Sequence, residues 1–510
     1  MNDWTAGYTA SIGYTYGYYN ELNPLRIKLA FLNAGLAFPE VGAACELGFG
    51  QGVSVNCHAA ASTVTWHGTD FNPAQAGVAQ ALASASGAKA HLHDDAFETF
   101  CQRSDLPEFD YIALHGIWSW ISDTNREVIV DFLRRKLKVG GVLYISYNTQ
   151  PGWAAFGPMR HLLHAHSDMM QSASTGAEAR VDAAIDFAEQ LLATQPGYAK
   201  ANPHVAERVT ALKTQSRQYL AHEYLNRDWL PMHFSEVAQW LSAAKLDYAC
   251  SAHYPDAIAT LNLSQEQQAF LAQLPDRGFV ETVRDFMVNQ QFRRDYWVKG
   301  ARTLNSLERT EQLRAQRIVL TTSYTTVPFK VQGALGQAEL SEEIYAPLLK
   351  VLADHQAHTL AQLEKQLEGQ LTLGQIVEAV IVLLGAGHVA PVQEKSIIKQ
   401  ARPFTERLNR TLVEKARGSA DITWLASPVT SGGVPVPRFH QLFLGALAQG
   451  HKQPEQWAQA AWQLLNAQGQ RLVVEGNTLE SEQENLAALT QQAVTFAENR
   501  LPVLRALQVL

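Results

Sequence analysis

Cysteine is scarce in this chain. Its 510 residues contain four, Cys45, Cys57, Cys101 and Cys250, with no CxxC pair. That speaks against a disulfide scaffold or a cysteine-held metal, and the thiols read as buried side chains in a reducing compartment. Long hydrophobic runs are also missing, since no apolar stretch approaches the ~18 residues of a membrane span. The opening MNDWTAGYTASIGYTYGYY has no basic region ahead of an apolar one, so no secretory signal is expected there. Positive charge is in deficit. With 41 Lys and Arg against 49 Asp and Glu, the net charge is -8, which offers no electrostatic footprint for nucleic acid or an anionic membrane. The expectation is a cytoplasmic protein without membrane insertion, without a nucleic-acid partner and without a metal.

What is present is globular material. Apolar residues make up 46% and charged residues 18%, and the length suggests three units at about 150 residues per domain. From 41 to 147, strand-like runs (VGAACEL, TVTWHGTD, AKAHLHDD, FDYIALHG, GGVLYISY) alternate with helical stretches such as PAQAGVAQALASA and NREVIVDFLRRKL. That alternation predicts βαβ units around a mostly parallel sheet. The Ser- and Gly-rich SASTGAEA near 172 reads as a linker. Residues 177–228 read as helical, and HFSEVAQWLSAAKLDYACSAHY as a helix and strand that could return the chain to the sheet. From 338 the periodicity is almost entirely helical, through Ile344, Leu348, Leu349 and Leu352 to Ile376, Val380, Leu383 and Leu384, then the strand-like HVAPV. Three helices and a strand predict a winged-helix-like unit. Its third helix, LGQIVEAVIVLL, carries no Lys or Arg, so packing or protein interaction is expected of it rather than DNA recognition. The expected divisions are 1–165, 166–335 and 336–510.

The strongest local signal is ELGFGQG, directly after the apolar VGAAC. Gly48, Gly50 and Gly52 let a strand-to-helix turn take positive φ and bring backbone N–H groups close to a ligand. A dinucleotide fingerprint would need glycine at 53, where this chain has Val53, and no lysine is present to meet the phosphates of a nucleotide. The remaining E-x-G-x-G-x-G, with Glu46 ahead of the glycines, resembles the first motif of class I S-adenosylmethionine (SAM) dependent methyltransferases. In that family the acid lies near the amino-acid end of the sulfonium ligand. Asp70 ends the second strand, where a carboxylate can accept both ribose hydroxyl protons, and Phe71 follows it in the expected cofactor set. Asp95-Ala96 ends the third, where the family pairs an acid with the adenine amino group; Asp94 is the alternative. Each acid alone would be an ordinary loop residue, but three at consecutive strand ends with the glycine turn argue together.

Further phrases narrow the resemblance. HGIWSWI (115–121), SYNTQPGW (146–153), HEYLN (222–226), QQFRRDYW (290–297) and LASPVTSGG (425–433) look like bacterial methyltransferases with a methyltransferase regulatory domain. These are similar to the protein-lysine methyltransferases that modify outer-membrane proteins. The resemblance implies a class I Rossmann-like α/β domain, a helical middle domain and a further C-terminal domain. It also implies SAM as methyl donor and S-adenosylhomocysteine as product.

In such a fold the methyl group projects past the fourth strand. His115, Trp118 and Trp120 are then its natural neighbours, with His115 counted in the cofactor set as well. Tyr14, Tyr16, Tyr18 and Tyr19 form an aromatic run before the first strand. Alternation would put the rings of 14, 16 and 18 on one face of a lid, and His115, Trp118 and Tyr16 make up the expected catalytic set. For the tryptophans and tyrosines the competing expectation is core packing. Tyr147, Asn148, Trp153, His222 and Glu223 could shape the same pocket. The acceptor is expected to be a protein lysine, with a small molecule or glycan as the second possibility and a SAM-binding interaction protein without catalysis as the third.

Overall fold

The computed structural model describes residues 5, 7–9, 12–172 and 174–510. A seven-stranded sheet organises the molecule. Its strands are β1 Ala43–Leu47, β2 Thr65–Thr69, β3 Ala90–His93, β4 Phe109–Leu114, β5 Leu137–Asn148, β6 Leu246–Ser251 and β7 Phe292–Lys299. They lie in the order β3-β2-β1-β4-β5-β7-β6. β1 to β5 are parallel, and β7 runs antiparallel between β5 and β6. Apolar residues cover both faces: Tyr111, Val142 and Tyr144 on one, Ile112, Leu143 and Ile145 on the other, as a parallel sheet buried on both sides requires.

Local chemistry sets the helices that frame the site. Asn72 caps helix Pro73–Ser86 by accepting from Ala74 N, Pro73 fills its first turn, and Gly87 ends it at φ +66°. Helix Val53–Ala60 starts from Gly52 and is buried along its whole length. Five helices between Gly157 and Tyr224 gather around Leu163, Val181, Ile185, Val209 and Leu220, a separate small core between β5 and β6. After them come helix Phe234–Ser242 and β6, returning the chain to the sheet.

Two of the expected boundary positions fall within secondary-structure elements. Position 165 falls inside helix Gly157–Met170, and the SASTGAEA stretch runs from beyond that helix into the first turn of Ala177–Ala193; Ala173 within it lies outside the described residues. Position 336 falls in a hairpin, Lys330–Gly333 with Gly336–Glu339. The unit that follows has a three-stranded antiparallel sheet whose central strand, Arg317–Leu320, precedes its helices, flanked by His358–Thr359 and Val389–Pro391. Sequence reading found only the last of those strands, because two- to four-residue strands carry almost no periodic signal.

The C-terminal helices pack on a core of their own that also takes in Tyr18, Val53, Cys57 and Leu82 of the sheet domain. Helix Lys395–Lys415 lies against Pro73–Ser86, and Arg407 Nε donates to Ser86 O at 2.7 Å. LASPVTSGG forms the hairpin Trp424–Ser427 with Gly432–Pro435, and Asn23 Nδ2 donates to Thr430 O at 2.8 Å. Among the described residues no helix is long and apolar enough to cross a membrane.

Candidate active site

At the carboxyl ends of β1, β2 and β4 lies a cavity of about 330 Å³. The glycine turn forms its floor. Gly48, Gly50 and Gly52 all take positive φ (73°, 58° and 72°), the region that disfavours side chains. The turn is tied to β2 by Gly48 N donating to Thr69 O at 2.8 Å and Gly50 N donating to Asp70 Oδ2 at 2.8 Å. Gly48, Gly50, Glu46, Asp70, Phe71, Asp95, Ala96 and His115 line the cavity. Gly52 does not. A Cβ on it would lie 2.3 Å from Ala79 Cβ, so this glycine serves the close approach of two helices.

Glu46 is buried, and its Oε2 has no hydrogen-bond partner among the described residues. Burial, with the Asp70 charge beside it, pushes its carboxyl up to about 8. An orphaned carboxyl facing a cavity calls for a cationic or N–H-bearing ligand, and the amino-acid end of SAM supplies one. Asp70 is raised to about 6 by burial, and the backbone N–H groups of Asn72 and Gly50 pull it the other way. Each of its oxygens already accepts one backbone bond, from Gly50 and from Asn72 at 3.1 Å, leaving one lone pair apiece for a ribose. Asp95 faces the cavity while pairing with Arg103 at 3.2 Å; Asp94 is exposed and absent from the lining.

His115 stacks on Tyr19 with ring centroids 3.5 Å apart. Its Nδ1 shares a 2.8 Å hydrogen bond with the Tyr144 hydroxyl. Burial lowers it to about 4, so the ring is neutral at physiological pH. The other expected aromatic residues divide. Trp118 is 0% exposed, packed in the core below the sheet under the Arg126 guanidinium, and Trp120 reaches the cavity instead. Within the 3₁₀ turn Trp118–Trp120 the two rings cannot share a face. Tyr16 and Tyr18 pack into the C-terminal core, whereas Tyr8, Tyr14 and Tyr19 line the cavity. Strict alternation fails because this segment forms no strand.

Tyr147 donates to Asp295 at 2.8 Å, and Trp153 sits in the core of the inserted helices. Neither residue lines the cavity, nor does Asn148.

The opposite wall comes from helix Arg217–Tyr224 and the residues after it: Tyr219, His222, Glu223, Asn226, Arg227 and Asp228. Tyr14 and Tyr8 bridge the two walls. Tyr14 meets the His222 ring edge-on at 5.0 Å, while Tyr8 contacts Phe71 at 5.5 Å and His222 at 5.3 Å. Sequence reading missed Tyr8, Tyr219 and Asp228. The helical spacing of Tyr219 from Glu223 would have revealed the second. Six acids line the cavity (Glu46, Asp70, Asp95, Glu98, Glu223, Asp228) against one guanidinium among the described residues, Arg227, itself 3.0 Å from Asp228.

Sheet order, glycine turn and strand-end acids together define a class I SAM-dependent methyltransferase fold. PKMT2 from Rickettsia typhi, solved in complex with AdoHcy, superposes on 97% of this chain and 100% of its own with a TM-score of 0.71 at 16% identity. Residues 216–299 match the model of the predicted methyltransferase regulatory domain. An uncharacterized protein of Synechocystis is 40% identical over 99% of both chains. One of Rickettsia prowazekii is 27% identical over 54% of this chain and 49% of its own. The chain belongs to the family of methyltransferases that carry this regulatory domain.

Proposed function

We propose that the protein is a SAM-dependent protein-lysine N-methyltransferase. The observation that carries this reading is the lining of the cavity, an excess of carboxylates and aromatic rings around two uncharged histidines, which suits cationic ligands on both sides of the reaction. Glu46, Gly48, Gly50, Asp70, Phe71, Asp95 and Ala96 would hold SAM. When bound, SAM supplies a methyl group on a sulfonium, an electrophile that needs only a lone pair in line with the S–CH₃ bond.

The rest falls to the chain's own residues. A lysine has to arrive as the free amine, which at pH 7 costs roughly 4–5 kcal/mol from an ordinary pKa near 10.4. An aromatic, water-poor site lowers that cost by disfavouring the ammonium. Tyr8, Tyr14, Tyr19 and Trp120 provide it, and their faces also hold a methylammonium product by cation–π attraction. His115, neutral and fixed by Tyr144, presents a polar edge without a competing charge. The phrases HGIWSWI and HEYLN, which resemble bacterial protein-lysine methyltransferases, support the same acceptor.

The test is transfer from methyl-labelled SAM into a bacterial proteome and, separately, a metabolite extract. Label on protein, recovered after hydrolysis as methyl-lysine, is expected. Label confined to the metabolite extract would point to a small-molecule or glycan acceptor, and no transfer to a non-catalytic SAM-binding protein.

A further inference from the structure

Glu223 is the one carboxylate of the cavity that comes from the inserted helices with no ion pair of its own among the described residues. It lies on helix Arg217–Tyr224, half-buried, with its open surface on the cavity. The groups that face it come from four directions: Arg160 on helix Gly157–Met170, Arg208 on helix Val205–Leu212, Tyr14 on the N-terminal segment, and Tyr219 and Tyr224 on its own helix. The two guanidiniums are occupied elsewhere. Arg160 donates to Asn226 O at 2.6 Å and Glu223 O at 3.3 Å, and Arg208 lies over the rings of Trp153 and Phe156 at 4.3 and 4.1 Å.

Resting on the lysine reading above, we propose that Glu223 is the acceptor's base: it receives the ammonium of the incoming lysine and takes its proton before methyl transfer. The Nζ–H bond breaks, its electron pair stays on nitrogen as the nucleophilic lone pair, and the proton moves to the Glu223 carboxylate. The neutral carboxyl then returns it to solvent, so charge balances when the methylated ammonium leaves. Burial raises this carboxyl to about 7 against the pull of Arg160 and Arg208, a value suited to exchange protons at physiological pH. The assignment makes a helix of the regulatory domain part of the reaction site.

The experiment uses the full chain, N-α-acetyl-lysine amide and polylysine as probes, and methyl-labelled SAM, with single-turnover rates taken from pH 6 to 10. Glu223→Gln is expected to lower the rate at pH 7 by about 100-fold, with AdoHcy affinity by calorimetry within twofold of wild type. Its rate should then climb tenfold per pH unit towards pH 10 as free amine appears in solution, while wild type levels off above pH 7–8. Glu223→Asp should keep the wild-type profile at reduced height, and it serves where the glutamine variant does not fold. A Glu223→Gln profile parallel to wild type overturns the role of Glu223 and leaves the lysine reading intact, as does loss of AdoHcy binding in both folded variants. Wild type that methylates neither probe, nor lysine in the proteome, overturns both.

Discussion

Glu46 sets the energetics of the site. Its carboxyl is raised from 4.5 to about 8 in the free protein, so the fold favours the neutral form. The stability this confers is full below pH 4.5 and lost as pH rises through about 8. Glu46→Gln is therefore expected to raise the melting temperature of the free protein, more at pH 8.5 than at pH 5. The same change should weaken SAM by about 1.5–3 kcal/mol, because a charge-assisted contact is lost. Wild-type SAM affinity should rise with pH towards 8 and release a proton on binding, seen by calorimetry in buffers of different ionisation enthalpy; a pH-independent affinity would contradict the assignment. His115→Asn should lower turnover far more than AdoHcy affinity, and a ring lowered to about 4 should add no limb to the pH–rate profile above pH 5. The placement of Glu46, Asp70 and Asp95 on one cavity was legible because strand ends point their side chains at one place. Trp118 and Tyr16 were misread because neither a 3₁₀ turn nor an irregular segment has the periodicity that sequence reasoning assumes.

Among the elements, β7 and Gly52 carry the clearest consequences. Arg293 on β7 is 3% exposed at its side chain and bonds Asp285 at 2.6 Å, Asp295 at 2.8 Å and Glu281 at 2.8 Å. Arg293→Met leaves those carboxylates without their cation and should cost about 3–5 kcal/mol in urea unfolding near pH 8. The deficit should shrink towards pH 4, because the unpaired acids can then be neutral in the folded state. An unchanged midpoint at both pH values would show that the network is not holding β7. Gly52→Ala should lower stability through the Ala79 contact and affect SAM affinity only secondarily, whereas Gly50→Val, at a positive φ on the cavity floor, should act on SAM binding first. Thermal unfolding with and without SAM separates the two. Strands β1 to β5 could be read from their apolar runs. The phrase QQFRRDYW carried the family resemblance but did not reveal β7 or the role of Arg293, since only the fold brings Glu281 and Asp285 to it.

At the scale of the whole molecule, the cavity and the C-terminal unit share one short segment. Tyr14, Thr15, Gly17 and Tyr19 face the cavity, while Tyr18 is wedged against Trp424 at 4.7 Å, bonds His58 at 3.1 Å, and lies within 2.9 Å of where a Cβ on Gly433 would stand. Gly433→Val should displace Tyr18, lower the melting temperature by overpacking that core, and weaken SAM about tenfold. Unaltered affinity would mean that the segment holds its place without the hairpin. Deleting residues 1–20 should weaken SAM retention and turnover together if the tyrosines enclose the ligand. This joint between distant parts was not legible in the sequence, since nothing local to YTYGYY names a partner 407 residues away, the separation of Asn23 and Thr430. That distance is also an interval of time. At about 5–20 residues per second, roughly 20–80 s of synthesis separate the tyrosine segment from the hairpin that holds it. A chain stopped before that hairpin would carry the complete glycine turn and every strand of the sheet, yet Tyr18 would lack its contacts with Trp424 and Gly433, leaving the tyrosine segment unsupported until the hairpin is made.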